Sequence, residues 1–280
     1  MKKNSSLKRQ NAHITAHVFL TIWAFLDLFP IWVMVINSFK TRFTIYTNPF
    51  GLPEKWNLKN YQSVFASSSF MRYFLNSFIV VGISLLLVLV LGAFASYAFS
   101  NWRSKSADVI YFIIIAGMML PIRIASIKLI EIMKQLNLLN TIWSLIPVYV
   151  AEGFPISVFI MTAFMRSVPG ELTESAFIDG AGRLKIFFEI VIPLLRPAMG
   201  TVAMYNLVPF WNDLWFPLIF ITNEKQKTLM LGVTRLFGQY QTDWTRVLAV
   251  LSLSAVPVIV LYLLMSSQFI KGLTAGAVKG

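Results

Sequence analysis

Cysteine is absent from the 280 residues, so the chain can form neither a disulfide nor a thiolate metal site and is silent about redox compartment. Charge is scarce as well. Asp, Glu, Lys and Arg together make up 13% of the chain, against about 25% in a soluble domain. Of two histidines, His13 and His17 stand one helical turn apart, but no acidic residue or cysteine lies near, which favours an interfacial polar role over a metal site. No GxxxxGK followed by Ser or Thr occurs, and no HExxH, so the chain carries neither a phosphate-cradling loop nor a zinc-hydrolase pair. Nor is there a sustained internal repeat, a low-complexity tract or a second soluble domain.

What is abundant is apolar surface. Hydrophobic residues reach 57%, above the usual 45 to 50% or so, and they fall in long blocks. A bilayer core of about 30 Å needs about 20 apolar residues in helical form. Several segments reach that length, and runs such as ISLLLVLVLGAFA lack the alternation a transmembrane barrel requires. The expected fold is therefore all-α, a polytopic membrane protein with six transmembrane helices. The spans fall at 14–38, 73–99, 107–130, 141–165, 198–222 and 247–270. The formal charge of +12 would suggest nucleic acid in a soluble protein. Here the basic residues flank apolar spans and suit lipid headgroups instead.

The basic start MKKNSSLKRQ favours a cytoplasmic N-terminus. A cleaved signal peptide fits poorly, because the first apolar run is too long and no small-residue cleavage site follows it. Six spans then place 39–72, 131–140 and 223–246 outside and 100–106, 166–197 and 271–280 inside. The Lys and Arg residues divide evenly between the inner segments and everything else, so the basic count alone does not set the orientation. The reading is one transmembrane domain over 1–280, with residues 1–13, the loop 166–197 and the tail 271–280 in the cytoplasm. The outer segment 39–72 reads as a turn followed by a short amphipathic helix.

The most polar stretch of the second half is RSVPGELTESAFIDGAGRLKIFFEIVIPLLRPAMG. Pro169 suits a first helical turn, and Glu171 and Glu174 complement the positive end of a helix dipole. Leu172, Ala176 and Phe177 share a face, Gly180 and Gly182 permit a sharp turn, and Leu184, Phe187, Phe188 and Val191 form a second apolar face. Two short helices around a glycine turn is the simplest reading. Taken by itself, such a helix could bury its apolar side in the membrane interface or against a protein.

Glu174, Ala176, Asp179, Gly180 and Ala181, followed by Phe187, Ile190, Pro193 and Pro197, resemble the EAA motif of ATP-binding cassette importer permeases. Ser175 stands where that motif usually has alanine, an equally small residue. Pro30 with Ser38, Phe39 and Lys40, Asn76 with Ser77, SYAFSNWRSK, Pro121, and Trp211, Asn212 and Asp213 with Pro217 and Leu218 resemble the carbohydrate-uptake permeases of the maltose-transporter kind. The ending GLTAGAVKG is similar to that of the shorter permease of each pair.

The resemblance implies one permease subunit of an ATP-driven, binding-protein-dependent sugar importer in the bacterial plasma membrane, and not an enzyme. Its implied partners are a second homologous permease, a cytoplasmic ATPase dimer and an extracytoplasmic solute-binding protein; ATP and Mg would sit on the ATPase and no cofactor on this chain. The loop at 169–193 would be the coupling helix, with Glu174 and Asp179 making polar contacts or caps at the ATPase, and Phe177, Leu184 and Phe187 as the apolar anchor. For Phe187 and Phe188, packing against the cytoplasmic ends of the spans is the alternative. Ala176 and Ala181 belong to the same motif, and Gly180 would set the turn. The tail, with Gly272, Gly276 and Gly280, would reach toward the ATPase, or would simply be loose.

Ionisable groups inside a span are costly and should face a partner or a wet cavity. Asp27, Glu152 and Asp213 are the candidates; Asp27 suits a local salt bridge or a subunit contact as well as a transport role. Pro209 and Pro217 are expected to break the fifth span around FWNDLWF, and irregular backbone at membrane depth must be buried in protein or line a cavity. Sugars are held by aromatic faces and by amides or carboxylates on their hydroxyls. Glu152, Asn206, Trp211, Asn212 and Asp213 are thus the expected pathway residues, with Trp215 assigned to an aromatic belt. With no basic cluster in any span, a neutral di- or oligosaccharide is the expected substrate.

Overall fold

A computed structural model describes residues 2–102, 104–237 and 242–277. The three last residues of the glycine-rich tail, Gly280 among them, and Arg103 of SYAFSNWRSK lie outside the described residues. In chain order the α-helices are α1 (Lys2–Ser38), α2 (Arg42–Thr47), α3 (Lys59–Ala66), α4 (Ser68–Asn101), α5 (Lys105–Ala116), α6 (Ser126–Gln135), α7 (Leu145–Met165), α8 (Glu171–Ile178), α9 (Arg183–Ile186), α10 (Ile192–Asn212), α11 (Trp215–Phe220), α12 (Leu229–Val233) and α13 (Trp244–Ala277). Among the described residues the only extended pairing is a single antiparallel bridge between Phe237 and Thr242.

Among the described residues, five helical segments are long and apolar enough to cross a membrane: His13–Ser38, Ser69–Asn101, Ile142–Met165, Arg183–Asn212 and Trp244–Leu264. A sixth crossing is a bent pair, Lys105–Met119 with Ile122–Gln135, meeting at 83°. The third expected span, 107–130, is therefore not one straight helix. Pro121 has no N–H to continue the ladder, and its ring holds Leu120 in extended backbone (φ −89°, ψ 117°).

The fifth span departs differently. Pro197 and Pro209 both lie inside α10, which runs unbroken to Asn212, and the break comes at Asp213 and Leu214. The carboxylate of Asp213 accepts the backbone N–H groups of Trp215 (3.1 Å) and Phe216 (3.2 Å), which starts α11 anew. The break falls within FWNDLWF, where it was expected; Pro209 does not cause it, whereas Pro217 has no N–H for the Asp213 carbonyl and the Asp213 side chain caps the new helix.

The chain forms two compact units, Met1–Ser67 with Arg235–Ala255, and Ser68–Thr234 with Val256–Gly280. In the first unit, α1 turns its aromatic and aliphatic side chains outward along most of its apolar length; Phe19, Trp23 and Phe25 are all exposed. Its C-terminal end is pinned. Lys40, only 2% exposed, donates from Nζ to the Asn48 carbonyl (2.6 Å), and burial lowers its pKa below that of a free lysine. Asn60 donates to the carbonyls of Ser38 (2.8 Å) and Lys40 (2.9 Å), and Phe39 packs between Trp56 and Tyr61.

The second unit is built on α4, α7 and α10, which pack on one another. Small and polar residues face inward: Ser84, Ser96, Ser157 and Thr162 are fully buried, while Leu75, Phe78 and Leu86 of α4 are exposed. That inside-out arrangement suits lipid, where helices associate by close packing and not by hiding apolar surface. Gly153 shows how tight the contact is. A Cβ there would lie 2.6 Å from Asn206 Oδ1 and 3.0 Å from both Phe210 and Val88.

Candidate coupling surface and translocation cleft

The polar loop folds as α8, a left-handed turn and a rising helix. Gly180 has φ +81°, and around it Gly180 N–H reaches the Phe177 carbonyl (3.1 Å) while Ala181 N–H reaches that of Ala176 (3.0 Å). These two bonds form a Schellman cap, which satisfies the last carbonyls of α8 and needs a residue without a Cβ at the left-handed position. Open space surrounds Gly180, so backbone conformation alone selects glycine there.

The second short helix is not separate. From Arg183 the backbone continues through α9, one π-helical turn (Phe187–Val191) and α10, so the loop joins the fifth span without a joint. Pro193 lacks the N–H that Glu189 would receive, and the wider turn just before it accommodates the loss.

Exposure sorts the loop residues into two groups. Leu172, Phe177 and Leu184 are exposed, as are Glu174, Asp179 and Gly180; Ala176 and Ala181 are half-buried. Ile178, which the sequence pattern does not single out, is 86% exposed and the most prominent apolar side chain of α8. Phe187, expected in the partner-facing anchor, is instead 2% exposed: its ring stacks on Phe94 (4.4 Å, 11°) and meets Tyr97 (5.5 Å). It ties the foot of the long helix to α4. Phe188 stays exposed, edge-on to Phe94 and Phe187.

Further along the second unit, a cleft of about 800 Å³ opens between the bent α5–α6 pair and helices α7 and α10. Of the five residues read from the sequence as pathway residues, Glu152 and Asn206 line this cleft and Trp211, Asn212 and Asp213 do not. Trp211 is buried and edge-on to Phe74 (5.8 Å), a packing residue, because it falls on the inner face of an unbroken α10. Asn212 is exposed and spends its amide on the Val208 carbonyl (3.1 Å).

Asp213 sits behind the cleft, 7% exposed, where it accepts a hydrogen bond from Tyr149 Oη (2.9 Å) as well as the two N–H groups of α11. Tyr149 is held in turn by stacking on Phe210 (4.8 Å, 9°). Arg123, just past the 83° bend, brings Nη2 to 3.9 Å from Asp213 Oδ1 while its side chain remains 64% exposed. Trp215 donates from its indole to Ser126 Oγ (3.0 Å), joining α11 to α6. Neither Arg123 nor Tyr149 could be read from sequence, since only the bend and the crossing of α7 bring them to Asp213.

Residues 88–269 match the family described as binding-protein-dependent transport system inner membrane component. The diacetylchitobiose uptake system permease protein NgcG of Streptomyces coelicolor is 32% identical over 88% of this chain and 82% of its own length. The melibiose/raffinose/stachyose import permease protein MelC of Bacillus subtilis is 32% identical over 90% and 91%. In fold, the chain is similar to a chain of a bacterial ABC transporter involved in import of the acidic polysaccharide alginate (TM-score 0.79, 22% identity, covering 93% and 97%). Its relatives are transport permeases and not enzymes. The chain thus belongs to the inner membrane components of binding-protein-dependent transport systems, the multi-pass permeases of ABC importers.

Proposed function

We propose that this permease imports a neutral di- or oligosaccharide and that the loop 169–193 couples it to a cytoplasmic ATPase. The observation that carries this reading is α8 itself: a short helix held by a left-handed cap, whose Phe177 and Ile178 are left uncovered on a polar loop. An apolar face of that kind is buried by a partner. Phe177, Ile178 and Leu184 form the anchor, with Glu174 and Asp179 making polar contacts at its rim. ATP and Mg reside on the ATPase dimer. Because α9 runs into α10 without a joint, a push on α8 is delivered to the fifth span as a rigid lever, in keeping with alternating access by rocking. A second permease completes the pathway, a solute-binding protein delivers the sugar from outside, and both termini lie in the cytoplasm. The named relatives handle diacetylchitobiose and melibiose, raffinose or stachyose, which supports an uncharged sugar.

Affinity purification from membranes tests the coupling. The intact protein should retain a cytoplasmic ATPase, and Ile178→Asp should lose it while the protein still inserts at normal levels. Sugar uptake that collapses with the proton gradient while ATP is maintained would exclude the reading.

A further inference from the structure

The α5–α6 bend and α7 bring one cation and two carboxylates together. Arg123 and Glu152 line the cleft, and Asp213 lies just behind it. Their hydrogen-bonding states differ sharply. Asp213 is fully engaged by Tyr149 and by the start of α11, with Arg123 adding charge at 3.9 Å. The Arg123 side chain donates no hydrogen bond to any described residue, and the Glu152 carboxylate accepts none. Both side chains are exposed to the cleft, so their polar ends are open to a ligand that enters it.

The same cleft presents the exposed ring of Tyr205 and the buried amide of Asn206, whose Nδ2 donates to the Val202 carbonyl (2.8 Å) and leaves the side-chain oxygen as its acceptor. At about 800 Å³ it falls within the range of small-molecule sites, roughly 300 to 1,000 Å³. An arginine fork, a carboxylate, an amide and an aromatic face are the groups that bind hydroxyls and the C–H side of a sugar ring. The charge balance narrows the ligand further. Asp213 lies against Arg123 and Glu152 adds a second carboxylate, so acidic groups outnumber basic ones here and an anionic sugar is disfavoured.

We propose that this subunit carries its own saccharide subsite, in which Arg123 and Glu152 bind hydroxyl groups, Tyr205 stacks on the ring, and Asp213 positions Arg123 and biases the cleft toward uncharged sugars. The proposal rests on the importer reading and adds to it which permease holds the sugar and by what chemistry.

The test is ATP-driven uptake into proteoliposomes holding the assembled importer and its binding protein. The probes are raffinose, cellobiose and diacetylchitobiose as neutral sugars, with digalacturonate and an alginate trisaccharide as anionic ones. The parent should transport neutral probes only. Arg123→Ala and Glu152→Gln should each raise the KM for the transported probe about tenfold or more, the scale of one lost charge-assisted hydrogen bond. Glu152→Lys should admit an anionic probe that the parent refuses, a gain that a misfolded protein cannot show. Unchanged KM in the first two variants, or anionic uptake by the parent, would overturn the subsite while leaving the importer intact. Absence of ATP-driven uptake for every probe would overturn the importer reading and the subsite with it.

Discussion

Gly180 is the residue on which the loop geometry depends. A residue with a Cβ in the left-handed region costs about 1 to 2 kcal/mol, and no neighbour at this position adds to or relieves that cost. ATPase retention should therefore rank Gly180 above Gly180→Asn, then Gly180→Ala, then Gly180→Val, because asparagine tolerates the left-handed region best among the substitutes. Equal retention by the valine and glycine proteins would show that the cap does not set the docking geometry. At the cleft, Tyr149→Phe removes the phenolic donor from a carboxylate that stays buried. The assembled protein should lose about 1.5 to 3 kcal/mol of stability, read as a lower thermal midpoint in detergent.

Among elements, α8 and the rising helix after it carry different loads, and two aromatic or aliphatic positions separate them. Phe187 is buried against α4, so Phe187→Ala removes a packed ring and should cost about 3 to 5 kcal/mol, seen as reduced protein in the membrane. Ile178 contacts little of its own chain, and Ile178→Asp should leave the amount of protein unchanged while the ATPase is lost. If both variants behaved alike, the division between a packing residue and a docking residue would be wrong. The spacing of three and four placed Leu184, Phe187 and Phe188 on an apolar run, but periodicity alone does not say which side of a helix another helix of the same chain will cover. Proline gave a similar lesson. Pro121 marks a real 83° bend, whereas Pro209 sits in an unbroken helix and the break comes at Asp213, whose carboxylate supplies the new cap.

For the whole molecule, the absence of cysteine offers a direct test of orientation. A single cysteine introduced at Ile178 should react with a membrane-impermeant thiol reagent only after the membrane is opened, and one at Lys225 should react from outside. With no native thiol there is no background signal. Reaction of the Ile178→Cys protein in intact cells would invert the topology and remove α8 from the ATPase side.

Composition and run length by themselves determined the solvent and the class of fold: a chain with 57% hydrophobic residues in blocks of about 20 must satisfy its backbone within helices and place them in lipid. Local sequence also determined the turn after α8, because a left-handed cap depends on one residue lacking a Cβ. The tertiary structure decided which side chains share a space. Arg123, Tyr149, Glu152 and Asp213 lie up to 90 positions apart in the chain. Only the bend after Leu120 and the close crossing of α7 and α10 at Gly153 and Asn206 bring Arg123 and Glu152 to one cleft with Tyr149 and Asp213 behind it, because contact between distant residues depends on how helices pack and not on the order in which they are written.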